Sequence, residues 1–224
     1  MPFLLYTALP VGVSNWLLFH YLEKVHAYYG KTWFERSGDQ LKVNQLRKKI
    51  WLISANACSL LLILWVSPGP ALATTIFLCS LSMAISEMDM SYHIIPDRFQ
   101  IMGLFVSLGE LSALYYTDQS LPWGGLFMNL LFWGVLFLTG LIYHKFRNKD
   151  GIGMGDLKLL FWMALALPDS YVPAFFIGII SSLTGQFLRS IFAKNPVYQD
   201  PFALGPYLVF GLMTMKIWPL VFHT

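Results

Sequence analysis

The sequence predicts an all-α, polytopic integral membrane protein with about eight transmembrane helices. Of its 224 residues, 56% are hydrophobic and only 12% are charged, and the mean hydropathy is +0.57. Such a composition is typical of membrane proteins rather than of soluble domains. The net charge of +3 is too small to indicate nucleic acid as a partner, so the lipid bilayer is the partner that composition predicts.

Eight apolar stretches approach the roughly 20 residues that a helix needs to cross a bilayer. They comprise residues 2–21, 50–66, 71–86, 99–116, 123–143, 156–167, 171–192 and 202–222. Residues 22–49 separate the first two stretches and are predicted to form a short loop. Because no second domain is visible, residues 1–224 are predicted to form a single transmembrane domain.

The distribution of basic residues predicts the orientation. Lysines and arginines fall almost entirely in the loop 22–49 and in the alternate loops that follow, with Lys216 inside the last stretch. Basic loops remain on the cytoplasmic side of a membrane. The loop 22–49 and the membrane edge that carries Asp89 and Asp156 are therefore predicted to face the cytoplasm.

Asp89 and Asp156 each lie at the end of an apolar stretch, where a buried carboxylate is costly unless it has a function. Two carboxylates a few ångströms apart cannot both ionise cheaply, so one keeps a proton while the other stays charged. The charged group can take a proton from water as it attacks a peptide carbonyl, and the protonated group can polarise that carbonyl. The pair therefore favours an aspartic protease.

Three glycines, Gly151, Gly153 and Gly155, precede Asp156 and are predicted to form an active-site loop. Glycine permits backbone angles closed to other residues and lets a substrate strand approach closely. A glycine-rich loop that merely ends a helix is the alternative. The two cysteines lie in apolar stretches without a Cys/His cluster, so no metal site is expected.

The segment Gly-Ile-Gly-Met-Gly-Asp-Leu-Lys-Leu at 151–159 resembles the signature of the type IV prepilin leader peptidases, membrane aspartic proteases of the GxGD type. Asp89, followed eight residues later by Ile-Pro-Asp, fits a second family signature, and residues 201–208 are similar to a third. The resemblance covers residues 86–208, the predicted catalytic part. It implies catalytic roles for Asp89 and Asp156, with auxiliary or structural roles for Pro96, Asp97, Lys158, Gly205 and Pro206.

This resemblance implies an endopeptidase of the bacterial inner membrane, with its active site facing the cytoplasm. It would remove the basic leader from type IV prepilins or type II secretion pseudopilins, and it would need no cofactor for proteolysis. Many family members also carry a tetra-cysteine zinc domain and methylate the new N terminus. The chain has only two cysteines and resembles a short form without that domain. S-adenosylmethionine is expected only if methyltransferase activity is retained.

Two other functions remain open at this point: a proton-coupled polytopic transporter and a non-catalytic assembly protein of a pilus or secretion apparatus. In transporters, the functional acids lie near the middle of the membrane and the sequence often contains an internal repeat. Here Asp89 and Asp156 are predicted at one membrane edge and no repeat is evident, so a transporter is disfavoured. The presence of an aspartate at both position 89 and position 156 disfavours the assembly protein, because a scaffold would not require carboxylates there.

Other polar residues have structural interpretations. Asp97 is expected to cap the helix that follows it, and Lys158 is expected to be an interfacial anchor. Glu110 and Asn129 lie within apolar stretches, where hydrogen bonds between helices are expected.

Overall fold

The computed structural model describes residues 13, 15–18, 20–25, 28, 70–118, 121–147, 152–192 and 203–222. Over these ranges the regular structure is entirely helical, which confirms the all-α prediction. Helix α1 denotes the helical residues described between 13 and 28. The other helices are α2 (Pro70–Tyr92), α3 (Asp97–Asp118), α4 (Trp123–Arg147), α5 (Met154–Ala166), α6 (Tyr171–Phe192) and α7 (Gly205–Phe222).

Several helices agree with the predicted apolar stretches. Helix α6 has the predicted bounds, and α4 begins at the predicted residue but continues to Arg147. In the described part of the chain, the segments Trp123–Arg147 and Tyr171–Leu188 are long and apolar enough to cross a membrane. The predicted stretch 50–66 lies outside the described residues, so the total of eight spans stays a prediction.

Helix α2 ends at Tyr92 rather than at the predicted position 86, and Asp89 therefore lies inside its last turn. The buried residues Ile85, Met88 and Tyr92 recur every three or four positions and continue one apolar face of the helix. The helix ends at His93, which has a left-handed backbone with φ of 53°. Its N–H donates to the carbonyl of Asp89 at 2.8 Å, as at many helix C termini.

The first helix also extends further than predicted. Residues 22–25 and 28 are helical, although the loop was predicted to begin at position 22. Leu18, Leu22 and Val25 are buried and have helical spacing, so packing against the core explains the extension. The rest of the predicted loop lies outside the described residues.

The helices pack so that one end of α2, α3, α5 and α7 lies in the same region. Helix α5 packs against α3 and α4, and α7 packs against α2 and α6. A Cβ atom at Gly211 would lie 2.0 Å from the carbonyl oxygen of Ala174, so glycine permits the close approach of α7 to α6. As a result, the C-terminal end of α2 meets the N-terminal ends of α3, α5 and α7.

Candidate active site

Asp89 lies in the last turn of α2 and is 6% exposed. Its Oδ2 atom accepts a hydrogen bond of 2.8 Å from the backbone N–H of Gly205, the first residue of α7. The N-terminal end of a helix favours negative charge. A Cβ atom at Gly205 would lie 2.7 Å from the same oxygen, so α7 holds this carboxylate in a position that only glycine permits.

Asp156 lies in the first turn of α5 and is half-buried. It is close enough to Asp89 for the charge of Asp89 to act on it directly. The fold thus brings together two acids that lie 67 positions apart in the chain. Among the described residues, the imidazole of His93 is the basic group close to Asp89, and no lysine or arginine is ion-paired to either acid.

Ile95, from the connection between α2 and α3, fills the space next to these acids. The side chain is 6% exposed. Cβ atoms built on Gly155 and Gly205 would lie 3.3 Å from its Cβ atom and 3.2 Å from its Cδ1 atom, respectively. One aliphatic side chain therefore packs against both glycines that neighbour the acids.

The glycines before Asp156 do not have the backbone conformation that the sequence analysis expected. Gly153 has φ of −60° and ψ of 140°, which any residue can adopt. None of the described glycines has a positive φ. The expectation of special angles is therefore wrong for Gly153 and Gly155. At Gly155 the absence of a side chain matters instead, because Ile95 occupies the adjacent space. Gly151 lies outside the described residues.

The residues with predicted auxiliary roles lie around the start of α3, α5 and α7. The carbonyl of Pro96 accepts the N–H of Phe99 at 3.0 Å in the first turn of α3. Pro206 is the second residue of α7, where its missing N–H has little cost.

Asp97 and Lys158 contact each other. Asp97 lies in the first turn of α3, and its Oδ1 atom accepts a hydrogen bond from Lys158 Nζ at 2.5 Å. The two side chains are 70% and 45% exposed, respectively. A helix cap and an interfacial anchor were predicted from the sequence, whereas the ion pair that these two residues form between α3 and α5 was not.

Sequence analysis also missed the buried residue Gln100. This side chain is 5% exposed and contacts the backbone of Gly155 and the indole of Trp162. A single glutamine near the start of an apolar stretch gives only a weak signal, because its partners are more than 50 positions away in the sequence.

A cavity of about 500 Å³ lies on the outer side of Ile95. Its walls carry the basic residues Lys24 and Arg98 and the tyrosines Tyr21 and Tyr28. The guanidinium of Arg98 donates to Tyr21 Oη at 3.2 Å and lies 5.9 Å from the centre of that ring. A search of the described residues finds no group of three or more histidine, cysteine, aspartate or glutamate side chains that could hold a metal ion.

The chain was compared with known families and proteins. Residues 76–189 match the profile described as the type IV leader peptidase family. Three similar proteins are each called prepilin leader peptidase/N-methyltransferase. The protein from Aeromonas hydrophila is 26% identical over 166 residues, covering 68% of this chain and 52% of the relative. The protein from Xanthomonas campestris pv. campestris is 29% identical over 143 residues (61% and 46%). The protein from Pectobacterium carotovorum subsp. carotovorum is 29% identical over 159 residues (66% and 52%).

The chain spans about half the length of the curated relatives it matches. No solved structure gave a significant match.

Proposed function

The chain belongs to the type IV leader peptidase family, and on that premise we propose that it is a membrane aspartic endopeptidase. Its substrates would be type IV prepilins or type II secretion pseudopilins, and it would remove their basic leader at the cytoplasmic face of the bacterial inner membrane. The observation that carries the proposal is the approach of Asp89 and Asp156 at one end of the helices, where the same side chain, Ile95, packs against the glycine beside each acid. No described lysine or arginine is ion-paired to either acid.

The chemistry proposed for this pair is the hydrolysis of one peptide bond. The charged carboxylate takes a proton from water as the water oxygen bonds to the peptide carbonyl carbon. The protonated carboxylate hydrogen-bonds to the carbonyl oxygen and stabilises the tetrahedral intermediate. The intermediate then collapses, the C–N bond breaks, and the leaving amine takes up one of the protons held by the pair, which leaves the pair with a single proton as at the start. Because neighbouring acids titrate as a unit, neither role is assigned to one residue.

The outer surface of the helices supports a membrane location. Large apolar side chains of α4 point outward, with exposures of 63% for Phe127, 53% for Leu131, 57% for Leu138 and 80% for Phe146. Polar side chains are buried instead, among them Ser80, Ser107 and Asn129. Lipid tails solvate apolar side chains, whereas polar groups require partners inside the protein.

Methylation of the product requires S-adenosylmethionine, which carries a positively charged sulfonium group. The cavity beside Ile95 is lined by Lys24, Arg98 and the tyrosines Tyr21 and Tyr28, and no described contact identifies it as a site for this cofactor. The proposal covers proteolysis alone.

The experiment measures cleavage of a leader-bearing prepilin by membranes that contain this protein. We expect Asp89→Asn and Asp156→Asn to lower the cleavage rate by about 10²- to 10⁴-fold, because each removes an acid–base group. Asp169→Asn is the matched control, because Asp169 is exposed and follows the opposite end of α5. Full processing by either dyad variant would refute the assignment.

A further inference from the structure

Two carbonyl groups in the first turns of α5 each accept a hydrogen bond from a side chain of another helix. Gln100 Nε2, from α3, donates to the carbonyl oxygen of Gly155 at 2.9 Å. Trp133 Nε1, from α4, donates to the carbonyl oxygen of Leu157 at 2.9 Å. Gly155 and Leu157 are the two neighbours of Asp156, so its backbone is held from both sides.

Gln100 is itself held in place. Its Oε1 atom accepts a hydrogen bond of 2.8 Å from the indole Nε1 of Trp162, and both side chains are buried. A Cβ atom on Gly103 would lie 2.6 Å from the Trp162 ring, so the absence of a side chain at Gly103 makes room for the indole. The chain of contacts runs from Trp162 through Gln100 to the backbone beside Asp156.

The carbonyl of Gly155 does not need the hydrogen bond from Gln100 in order to have a partner. A carbonyl in the first turn of an α-helix already accepts the N–H group four residues further on. An apolar residue at position 100 would leave the buried indole N–H of Trp162 unpaired, and the Oε1 atom of Gln100 satisfies that donor. The Nε2 end of the same amide is the part that reaches α5, where its contact with the Gly155 carbonyl fixes the position of the first turn.

We propose that Gln100 is a positioning residue that fixes the backbone of Gly155 and so holds the Asp156 carboxylate at its working distance from Asp89. Gln100 does not touch the reacting atoms, and Trp162 acts by fixing the orientation of the Gln100 amide. This inference rests on the proposed proteolytic function.

The chain offers a matched control at the other end of α5. Asn129, from α4, is 4% exposed, and its Nδ2 atom donates to the carbonyl oxygens of Ala164, Leu167 and Pro168 at 3.1, 2.9 and 2.9 Å. Asn129 and Gln100 are both buried amides that bind backbone carbonyls of the α5 region. Only Gln100 does so beside Asp156.

The test compares Gln100→Met with Asn129→Leu in cleavage of a leader-bearing prepilin. We expect Gln100→Met to lower kcat by about 10- to 100-fold with KM unchanged within about twofold, because small displacements of a reacting group are costly. We expect Asn129→Leu to change kcat by less than about threefold, although both variants lose buried hydrogen bonds and lower the unfolding temperature.

Two further variants separate positioning from folding. Gln100→Glu keeps the length of the side chain and an acceptor for Trp162, and its buried carboxyl, in the protonated form that burial favours, also keeps an O–H donor to Gly155; we expect kcat to stay within about threefold of the unmodified protein. Trp162→Phe added to Gln100→Met is expected to cost less than about a further twofold in kcat, because residues of one network are not additive. This double variant also serves if Gln100→Met alone does not fold, because it leaves no unpaired indole N–H.

The outcomes distinguish this inference from the proposed function. If the unmodified protein cleaves the prepilin but Gln100→Met, alone or with Trp162→Phe, retains full kcat, the positioning role is refuted and the protease assignment stands. Equal losses of kcat in Gln100→Met and Asn129→Leu would also refute it. If the unmodified protein does not cleave, the proposed function itself fails.

Discussion

Acidic side chains lie at both ends of the same helices, but in different surroundings. At one end, Glu110 of α3 accepts a hydrogen bond from Lys216 of α7 at 2.7 Å and another from Thr74 of α2 at 2.6 Å. Lys216 also donates to the carbonyl of Ala166 at 3.1 Å. At the other end, Asp89 and Asp156 interact with each other. The two ends lie roughly 15 to 20 Å apart, from a rise of 1.5 Å per residue.

The partners of these carboxylates distinguish an acid that stabilises the helix packing from acids that are candidates for catalysis. The carboxylate of Glu110 has a cation and a hydroxyl as partners, so its burial holds α2, α3 and α7 together. In the described structure, the neighbours of Asp89 are a backbone N–H, a second acid and the imidazole of His93. Two buried acids without a lysine or arginine partner contribute little to folding stability, which favours a role in chemistry.

The largest expected effect comes from removing the cation at the paired end. Lys216→Met leaves the Glu110 carboxylate buried and uncompensated, because the two side chains are only 18% and 12% exposed, respectively. We expect the free energy of unfolding to fall by about 3 to 5 kcal/mol, measured by unfolding in detergent micelles or bicelles. The double variant Glu110→Gln, Lys216→Met should recover most of the loss, and a double variant as unstable as the single one would contradict this interpretation.

An intermediate effect, on activity rather than on stability, is expected at the unpaired end. In Gly205→Ala the new Cβ atom would lie 2.7 Å from Asp89 Oδ2, so the carboxylate must move. We expect prepilin cleavage to slow by about 10- to 100-fold. Gly109→Ala is the control, because its Cβ atom would meet nothing within 4 Å. Equal rates for the two variants would show that the contact between α7 and Asp89 is unimportant.

The smallest effect is expected for the exposed pair of Asp97 and Lys158. Solvent screens these side chains, so Lys158→Met should lower the free energy of unfolding by less than about 1 kcal/mol. The difference from the unmodified protein should shrink further at high salt. Unfolding measured at low and high ionic strength tests this expectation. A loss in the free energy of unfolding above about 2 kcal/mol would show that this pair stabilises the fold as the buried pair of Lys216 and Glu110 does.

The elements that could be predicted from the sequence are those with a local signal. Helix α6 has the predicted bounds because a long, mostly apolar run follows the polar turn at residues 168–170. Asp89 and Asp156 could be singled out because acids are rare at the ends of apolar runs. Asn129 forms the hydrogen bonds between helices that were expected, since an amide in such a run requires partners.

Long-range pairings could not be predicted in the same way. Glu110 and Lys216 lie 106 positions apart, and no local pattern links them. The extension of α2 through Asp89 was missed because polar residues interrupt the apolar run, although Met88 and Tyr92 continue its buried face. Packing against α7 and α3 decided that boundary, and packing is visible only in three dimensions.

The hydrogen bond from Gly205 to Asp89 has a consequence for where the working unit of this chain ends. The region that matches the family profile, residues 76–189, includes both acids but stops before α7. A fragment cut at that boundary would retain the two carboxylates and lose the backbone amide that orients one of them. Under the proposed mechanism, α7 is thus a component of the reaction centre in its own right, and a minimal fragment would have to include it.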